Sequence, residues 1–199
     1  MAATADGGFL PPSRVPGGVL TLSFADGTIQ LSGSVPEGLP GVERDPRSET
    51  GRAPAHRYHD LVTALDERGV DYEDRVAGGD TLDLASSYDL RSYQRAALDA
   101  WLATDDGGPA PRGVLELPTG SGKTVIGIEA IERLGTPTLI VVPTIDLLGQ
   151  WREELEREFG VPVGQFGGGK QVAEPLTVAT YDSAYLRADD VGDRFGLLV

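Results

Sequence analysis

The chain of 199 residues contains no cysteine, two histidines, one methionine and two lysines. Without cysteine there is no disulfide framework, no thiolate metal site and no thiol nucleophile. His56 and His59 sit at i and i+3 in a helical pattern, but two imidazoles without a third ligand fall short of a zinc centre. No apolar run approaches the ~20 residues that a bilayer-spanning helix needs. The opening Met1-Ala2-Ala3-Thr4-Ala5-Asp6 has neither the basic flank nor the apolar stretch of a signal peptide. The expectation is a cytoplasmic protein with no membrane partner.

Positive charge is scarce as well. Seventeen Lys+Arg face 31 Asp+Glu, a formal charge of -14, and Lys123 and Lys170 are the only lysines. Nucleic-acid binders usually carry a basic footprint, so this balance first reads against DNA. Acid-rich, lysine-poor chains are nevertheless what keeps a protein soluble in concentrated salt. At molar salt the screening length falls to ~3 Å, and net charge then says little about a phosphate-bearing partner. The composition is therefore read as a halophile signature, with an acidic partner-binding protein as the plainer alternative. The excess is evenly spread, with no acidic tail and no basic arm.

Turn signals and periodicity divide the chain into two units. Residues 1–17, with Pro11, Pro12 and Pro16, read as a flexible leader. Val19–Phe24 and Thr28–Leu31 alternate around Asp26-Gly27, a strong hairpin signal. After a Pro/Gly-bearing loop to Pro54, Tyr58, Leu61, Val62 and Leu65 recur at helical spacing, and Gly69 stands at the C-cap. A small α+β domain is expected over 18–76, followed by a linker over 77–87. From residue 88 the pattern is α/β. A helix over Arg91–Leu102 precedes an expected strand at Gly113–Leu117, a helix at Val125–Leu134 and a strand at Thr138–Val142. A helix at Ile145–Phe159, a strand at Leu176–Ala179 and a last apolar run at Phe195–Val199 complete it. Short apolar strands alternating with helices imply a parallel sheet buried on both faces.

The stretch Pro118-Thr119-Gly120-Ser121-Gly122-Lys123-Thr124 lies between an expected strand and an expected helix. That is the setting of a phosphate loop. Glycines at 120 and 122 let backbone N–H groups turn toward a phosphate at a helix N-terminus whose dipole favours anions. Lys123 would reach the β- and γ-phosphates of ATP and the Thr124 hydroxyl would ligate Mg2+. Leu117 occupies the first glycine position of the full motif, but the inner half is intact. Other features read as structural. Trp101 and Trp151 are expected in the core, Glu153, Glu154, Glu156 and Glu158 on a solvated helix face, and Gly167-Gly168-Gly169-Lys170 in a flexible loop. Thr144 is as well placed to N-cap the following helix as to touch phosphate.

LPTGSGKT, VVPTIDLLGQW and TVATYDSAY, in this order, resemble motifs I, Ia and Ib of a superfamily 2 helicase, and LRSYQ at 90–94 resembles the adenine-recognition motif. The whole run from about residue 18 is similar to the archaeal XPB-type DNA repair helicases. The resemblance implies an incomplete RecA-like P-loop domain over 88–199, preceded by a damage-recognition domain at 18–76. It implies ATP and Mg2+ as cofactors and an ATP-driven 3′-to-5′ DNA translocase as the activity. By position, it puts Pro118, Thr119, Gly120, Ser121, Gly122, Lys123 and Thr124 around the phosphates and Arg91 and Gln94 at the adenine. Pro143, Thr144, Thr180 and Tyr181 fall on the DNA backbone, through contacts indifferent to sequence. The contrasting reading is a non-catalytic DNA- or protein-binding module acting through 18–76, with a vestigial nucleotide site.

In that family an acidic box follows the strand resembling FGLLV, and a second motor domain supplies an arginine finger. Neither is present among the 199 residues. An arginine finger of this kind accounts for ~10³–10⁵ in rate in GTPases. The chain is thus expected to read as truncated before the acidic box, to bind nucleotide weakly and not to turn over ATP alone. A phosphate-release assay with added DNA should show no turnover. DNA-stimulated hydrolysis that disappears in Lys123→Ala would contradict this.

Overall fold

The computed structural model describes residues 18–45, 50–76, 81–103, 111–191 and 194–199. The leader expected at 1–17 and residues 77–80 of the expected linker lie outside them. Two five-stranded sheets organise the described residues.

The first sheet begins with the hairpin of β1 (Leu20–Ala25) and β2 (Thr28–Ser32). Asp26 and Gly27 both adopt positive φ, 50° and 70°, as a two-residue turn matched to strand twist requires. The resulting register sets Leu22 opposite Leu31 and Phe24 opposite Ile29. Leu20, Leu22, Ile29 and Leu31 then share one face and are almost wholly buried. Leu61, Val62 and Leu65 of α1 (Tyr58–Glu67) cover that face. Each such side chain contributes about 1.5–3 kcal/mol through burial. The helix stops as its sequence signals. Gly69, at φ 61°, donates to Asp66 O at 3.0 Å and Val70 to Leu65 O at 3.0 Å, a Schellman pair.

The expected loop before Pro54 holds two strands, β3 (Glu43–Asp45) and β4 (Thr50–Pro54), and β5 (Tyr72–Arg75) follows α1. The order is β3-β4-β2-β1-β5, with β5 parallel to β1 and the other pairs antiparallel. β4 turns Gly51 and Ala53 inward. A Cβ on Gly51 would lie 2.8 Å from Val42 Cγ1, so the site admits no larger residue without displacement.

The second sheet has the order β10-β6-β9-β7-β8. Its strands are β6 (Thr138–Val142), β7 (Val163–Gly167), β8 (Lys170–Val172), β9 (Leu176–Thr180) and β10 (Leu197–Leu198). All adjacent pairs are parallel except β7–β8. Helices α2 (Ser92–Leu102) and α3 (Lys123–Leu134) precede β6, α4 (Ile145–Phe159) joins β6 to β7, and α5 (Tyr181–Val191) joins β9 to β10. Ile128 and Ile131 of α3 meet Ile140, Val142, Leu148, Leu155 and Val178 in one buried cluster, against which Trp101 and Trp151 pack. No helix among the described residues is long and apolar enough to cross a membrane.

Three expectations need correction here. Gly113–Leu117 runs up to the phosphate loop but forms no strand, and Val114 is 93 % exposed. Its apolar character is satisfied instead by Leu115 and Leu117 packing against α2 and α3. A cleft of about 700 Å³, lined by Val114, Leu117, Ile126, Trp151, Leu197 and Val199 among others, opens beside it. The glycine run at 167–169 is no free loop, because Gly168 and Gly169 turn the β7–β8 hairpin, with Gly167 paired to Lys170. Glu154 and Glu158 are not on a solvated face either. Glu154 accepts from the Tyr88 hydroxyl, and Glu158 from the Ser87 N–H and, at 3.2 Å, the Ser86 hydroxyl.

Two tyrosines of the first unit make its stability sensitive to alkali. Burial and the Asp74 carboxylate, which accepts from the Tyr58 hydroxyl, push the Tyr58 phenol well up. Burial and the bond to Asp66, 3.1 Å long, push Tyr72 up to about 12. A phenol whose folded pKa lies above its unfolded value near 10 contributes its full stability below pH ~10. That contribution is lost as pH rises toward and through the folded value. Unfolding of the full chain followed by circular dichroism should therefore show stability falling from pH ~10 to ~12. The fall should flatten in the Tyr58→Phe/Tyr72→Phe double variant.

Candidate nucleotide-binding site

Residues 118–124 connect the segment 113–117 to α3. Gly120 and Gly122 both have φ of +79°, a left-handed conformation that glycine adopts without penalty. Gly122 is the N-cap of α3 and offers no capping side chain. The first N–H groups of an α-helix have no partner within the helix, so here they face outward uncapped. Inside the loop Ser121 N–H donates to Pro118 O at 3.3 Å, and Lys123 Nζ rests 3.4 Å from the same oxygen, a long contact for an ammonium. Lys123 is exposed and Thr124 half-buried, and both line the 700 Å³ cleft. Ser121 Oγ is buried and has no hydrogen-bond partner. Arrays of uncapped amides beside an ammonium and a hydroxyl suit a polyphosphate.

The two residues expected at an adenine come to the same place. Arg91 is the N-cap of α2, in extended conformation, and its N–H donates to Gln94 Oε1 at 2.8 Å. Gln94 is 5 % exposed, and its Nε2 donates to Ser121 O at 2.8 Å. One donor and one acceptor position of the amide are thus used within the protein, leaving one of each. Tyr93, which the sequence reading did not single out, donates its hydroxyl to the same Ser121 oxygen at 2.8 Å. Its place in the first turn of α2, beside Gln94, is the sequence signal that could have flagged it.

Residues 81–90 hold this corner in place. They alternate inward and outward, with Leu82, Leu84 and Tyr88 against the main core. Leu82 N–H donates to Gly135 O at 2.7 Å and Ser86 N–H to Glu132 Oε2 at 3.1 Å. The Tyr88 hydrogen bond, joined by the Arg157 guanidinium, keeps the Glu154 carboxyl below the usual range and outweighs burial. Burial would raise the Glu158 carboxyl, but the donors from Ser87 and Ser86 hold it down. The result is a chain of charge-assisted bonds from α4 to the segment that launches α2.

The residues expected at DNA divide into two strand-to-helix junctions at the C-terminal end of the sheet. Val142 of β6 pairs with Thr180, the last residue of β9, so Pro143-Thr144 and Thr180-Tyr181 lie at neighbouring C-terminal strand ends. Open α/β sheets commonly bind ligands there. Thr144 is exposed and N-caps α4, its hydroxyl accepting from Leu147 N–H at 3.3 Å. Thr180 Oγ1 donates to Ser183 Oγ at 3.0 Å. Tyr181 is 61 % exposed and shares the cleft lined by Lys123 and Thr124.

Two family models match successive parts of the chain. Residues 87–199, more than half of the chain, match the family model described as "Type III restriction enzyme, res subunit". Residues 22–76 match "Xeroderma pigmentosum group B helicase damage recognition domain". The chain belongs to the XPB-type helicases. It is 36 % identical over 161 residues to "DNA 3'-5' translocase XPB2" of Sulfurisphaera tokodaii, covering 80 % of this chain and 35 % of that protein. It is 37 % identical over 149 residues to "Putative DNA 3'-5' helicase Rad25" of Halobacterium salinarum, covering 72 % of this chain and 24 % of that one. A third relative is "DNA 3'-5' helicase XPB" of Mycobacterium tuberculosis, 38 % identical over 97 residues, or 47 % of this chain and 17 % of that protein. The chain spans about a third or less of the length of these relatives.

The loop of this XPB-type chain leaves no room at Gly122. A Cβ there would lie 2.5 Å from Gln94 Nε2, on a backbone with φ +79°. Gly122→Ala should therefore lose about 1–2 kcal/mol to left-handed strain, read as a lower thermal midpoint. ATP affinity measured by calorimetry should fall at the same time, as the loop leaves Gln94.

Proposed function

We propose that this chain is the nucleotide-binding part of an ATP-driven DNA translocase of the repair type, moving 3′ to 5′. The observation that carries the reading is the uncapped N-terminus of α3, presented by two left-handed glycines with Lys123 and Thr124 beside it. In this reading residues 18–76 are the damage-recognition domain, 77–87 the linker and 88–199 the first motor domain. A cytoplasmic location goes with it.

The residues fit the phosphates of ATP. The cradle admits no Cβ at Gly122, the Ser121 hydroxyl is buried and orphaned, and no side chain caps α3. The amides at Gly120 and Gly122 and those of the first turn of α3 hold phosphate oxygens, and Lys123 leaves its long contact with Pro118 O for the β/γ-phosphates. Pro118 and Thr119 shape the turn. The Thr124 hydroxyl would hold Mg2+, which when bound neutralises charge on the phosphate oxygens. Gln94 retains one donor and one acceptor for an adenine edge, and the exposed Arg91 lies at its rim. Pro143, Thr144, Thr180 and Tyr181 meet the DNA backbone through hydroxyl and amide groups. That chemistry suits a motor stepping along any sequence.

The test is calorimetric titration of the chain with Mg·ATP. Wild type should bind. Lys123→Ala should bind at least about tenfold more weakly, about 1.4 kcal/mol, with an unchanged thermal midpoint. Equal affinities would remove Lys123 from the site and the reading with it.

A further inference from the structure

Tyr93 and Gln94, consecutive residues in the first turn of α2, both donate to the carbonyl oxygen of Ser121, each at 2.8 Å. A carbonyl oxygen has two lone pairs, so this one is filled and its direction fixed. The peptide unit is planar and trans, which couples that carbonyl to the next N–H. With Ser121 C=O drawn toward α2, the N–H of Gly122 points the opposite way, out of the face of the loop turned from α2. Gly122 has no Cβ to resist rotation, and glycine passes between left- and right-handed regions at little cost. A flip of the 121–122 peptide would turn an oxygen, instead of an amide hydrogen, toward an incoming anion.

We propose that Tyr93 is a positioning residue for the phosphate loop, its hydroxyl holding the Ser121–Gly122 peptide in the anion-receptive orientation. The inference rests on the reading of residues 118–124 as a nucleotide site. Gln94 Nε2 occupies one of the two lone pairs of the Ser121 carbonyl, and the Tyr93 hydroxyl supplies the second donor that fixes its direction. Tyr93 is 41 % exposed, with its ring at the surface and its hydroxyl on the loop. It can therefore be changed with little effect on the core.

The experiment compares wild type with Tyr93→Phe in the full chain, titrated with Mg·ATP and with Mg·tripolyphosphate, which carries the phosphates without the base. One lost hydrogen bond of this kind corresponds to about a threefold to tenfold loss of affinity. The expected result is the same loss for both ligands, an unchanged thermal midpoint and faster amide exchange across 118–124 in the unliganded variant. A Tyr93→Phe chain that binds both ligands as wild type does would overturn the proposal, as would unchanged exchange in the loop. A loss confined to ATP would overturn it too, since it would place the hydroxyl on the base. Wild type binding neither ligand would instead bring down the nucleotide reading, and leave the clamp no anion to serve. Wild-type binding with no Tyr93 effect fails the clamp alone.

Discussion

Every α-helix begins with N–H groups that its own geometry cannot satisfy, and most helices cover them with a serine, threonine or aspartate side chain. At α4 of this chain Thr144 does so. At α3 the covering residue is Gly122, which has nothing to offer but backbone. The uncovered amides, the αL turns at Gly120 and Gly122 and the position of Lys123 form one constraint. The proposed site is this helix end, left for something else to satisfy. An anion is the partner that the dipole of the helix favours.

The rest of the fold holds that end rigid. Ile126, Ile128, Ala130 and Ile131 anchor α3 in two adjoining clusters. α2 is held against it through Leu98 and through the bonds from Tyr93 and Gln94 to Ser121. The segment before α2 is tied in turn to Glu132 on α3 and to Glu154 and Glu158 on α4. Acidic residues that look like solubilising surface therefore also fasten the corner of the site. In the proposed reading recognition depends on local amides and a single lysine, with which a net charge of -14 is consistent.

Features set by neighbouring residues were readable in the sequence. The Asp26-Gly27 turn, the Gly69 stop of α1, the Thr144 cap and the loop at 118–124 each follow from local backbone chemistry. Features that are relations between distant segments were not. β4 has glycine, alanine and proline where a strand usually has β-branched residues, and it forms because β2 and β3 supply ladders on both sides. Gly113–Leu117 has the apolar composition of a strand, yet among the described residues it has no ladder partner. Glu154 and Glu158 alternate like a solvated face, and only folding brings Tyr88 and Ser86 to them. Tyr93 was overlooked for the same reason, since its partner is a carbonyl 28 residues away.

The central claim is that backbone amides at 120–124 are the binding surface for a polyphosphate. Heteronuclear NMR of the ¹⁵N-labelled chain during titration with Mg·ATP tests it directly. Saturable shifts should concentrate at Gly120, Ser121, Gly122, Lys123 and Thr124, with a smaller response at Gln94 and none across α1. Shifts that spare residues 120–124, or that spread over the first unit instead, would contradict the account.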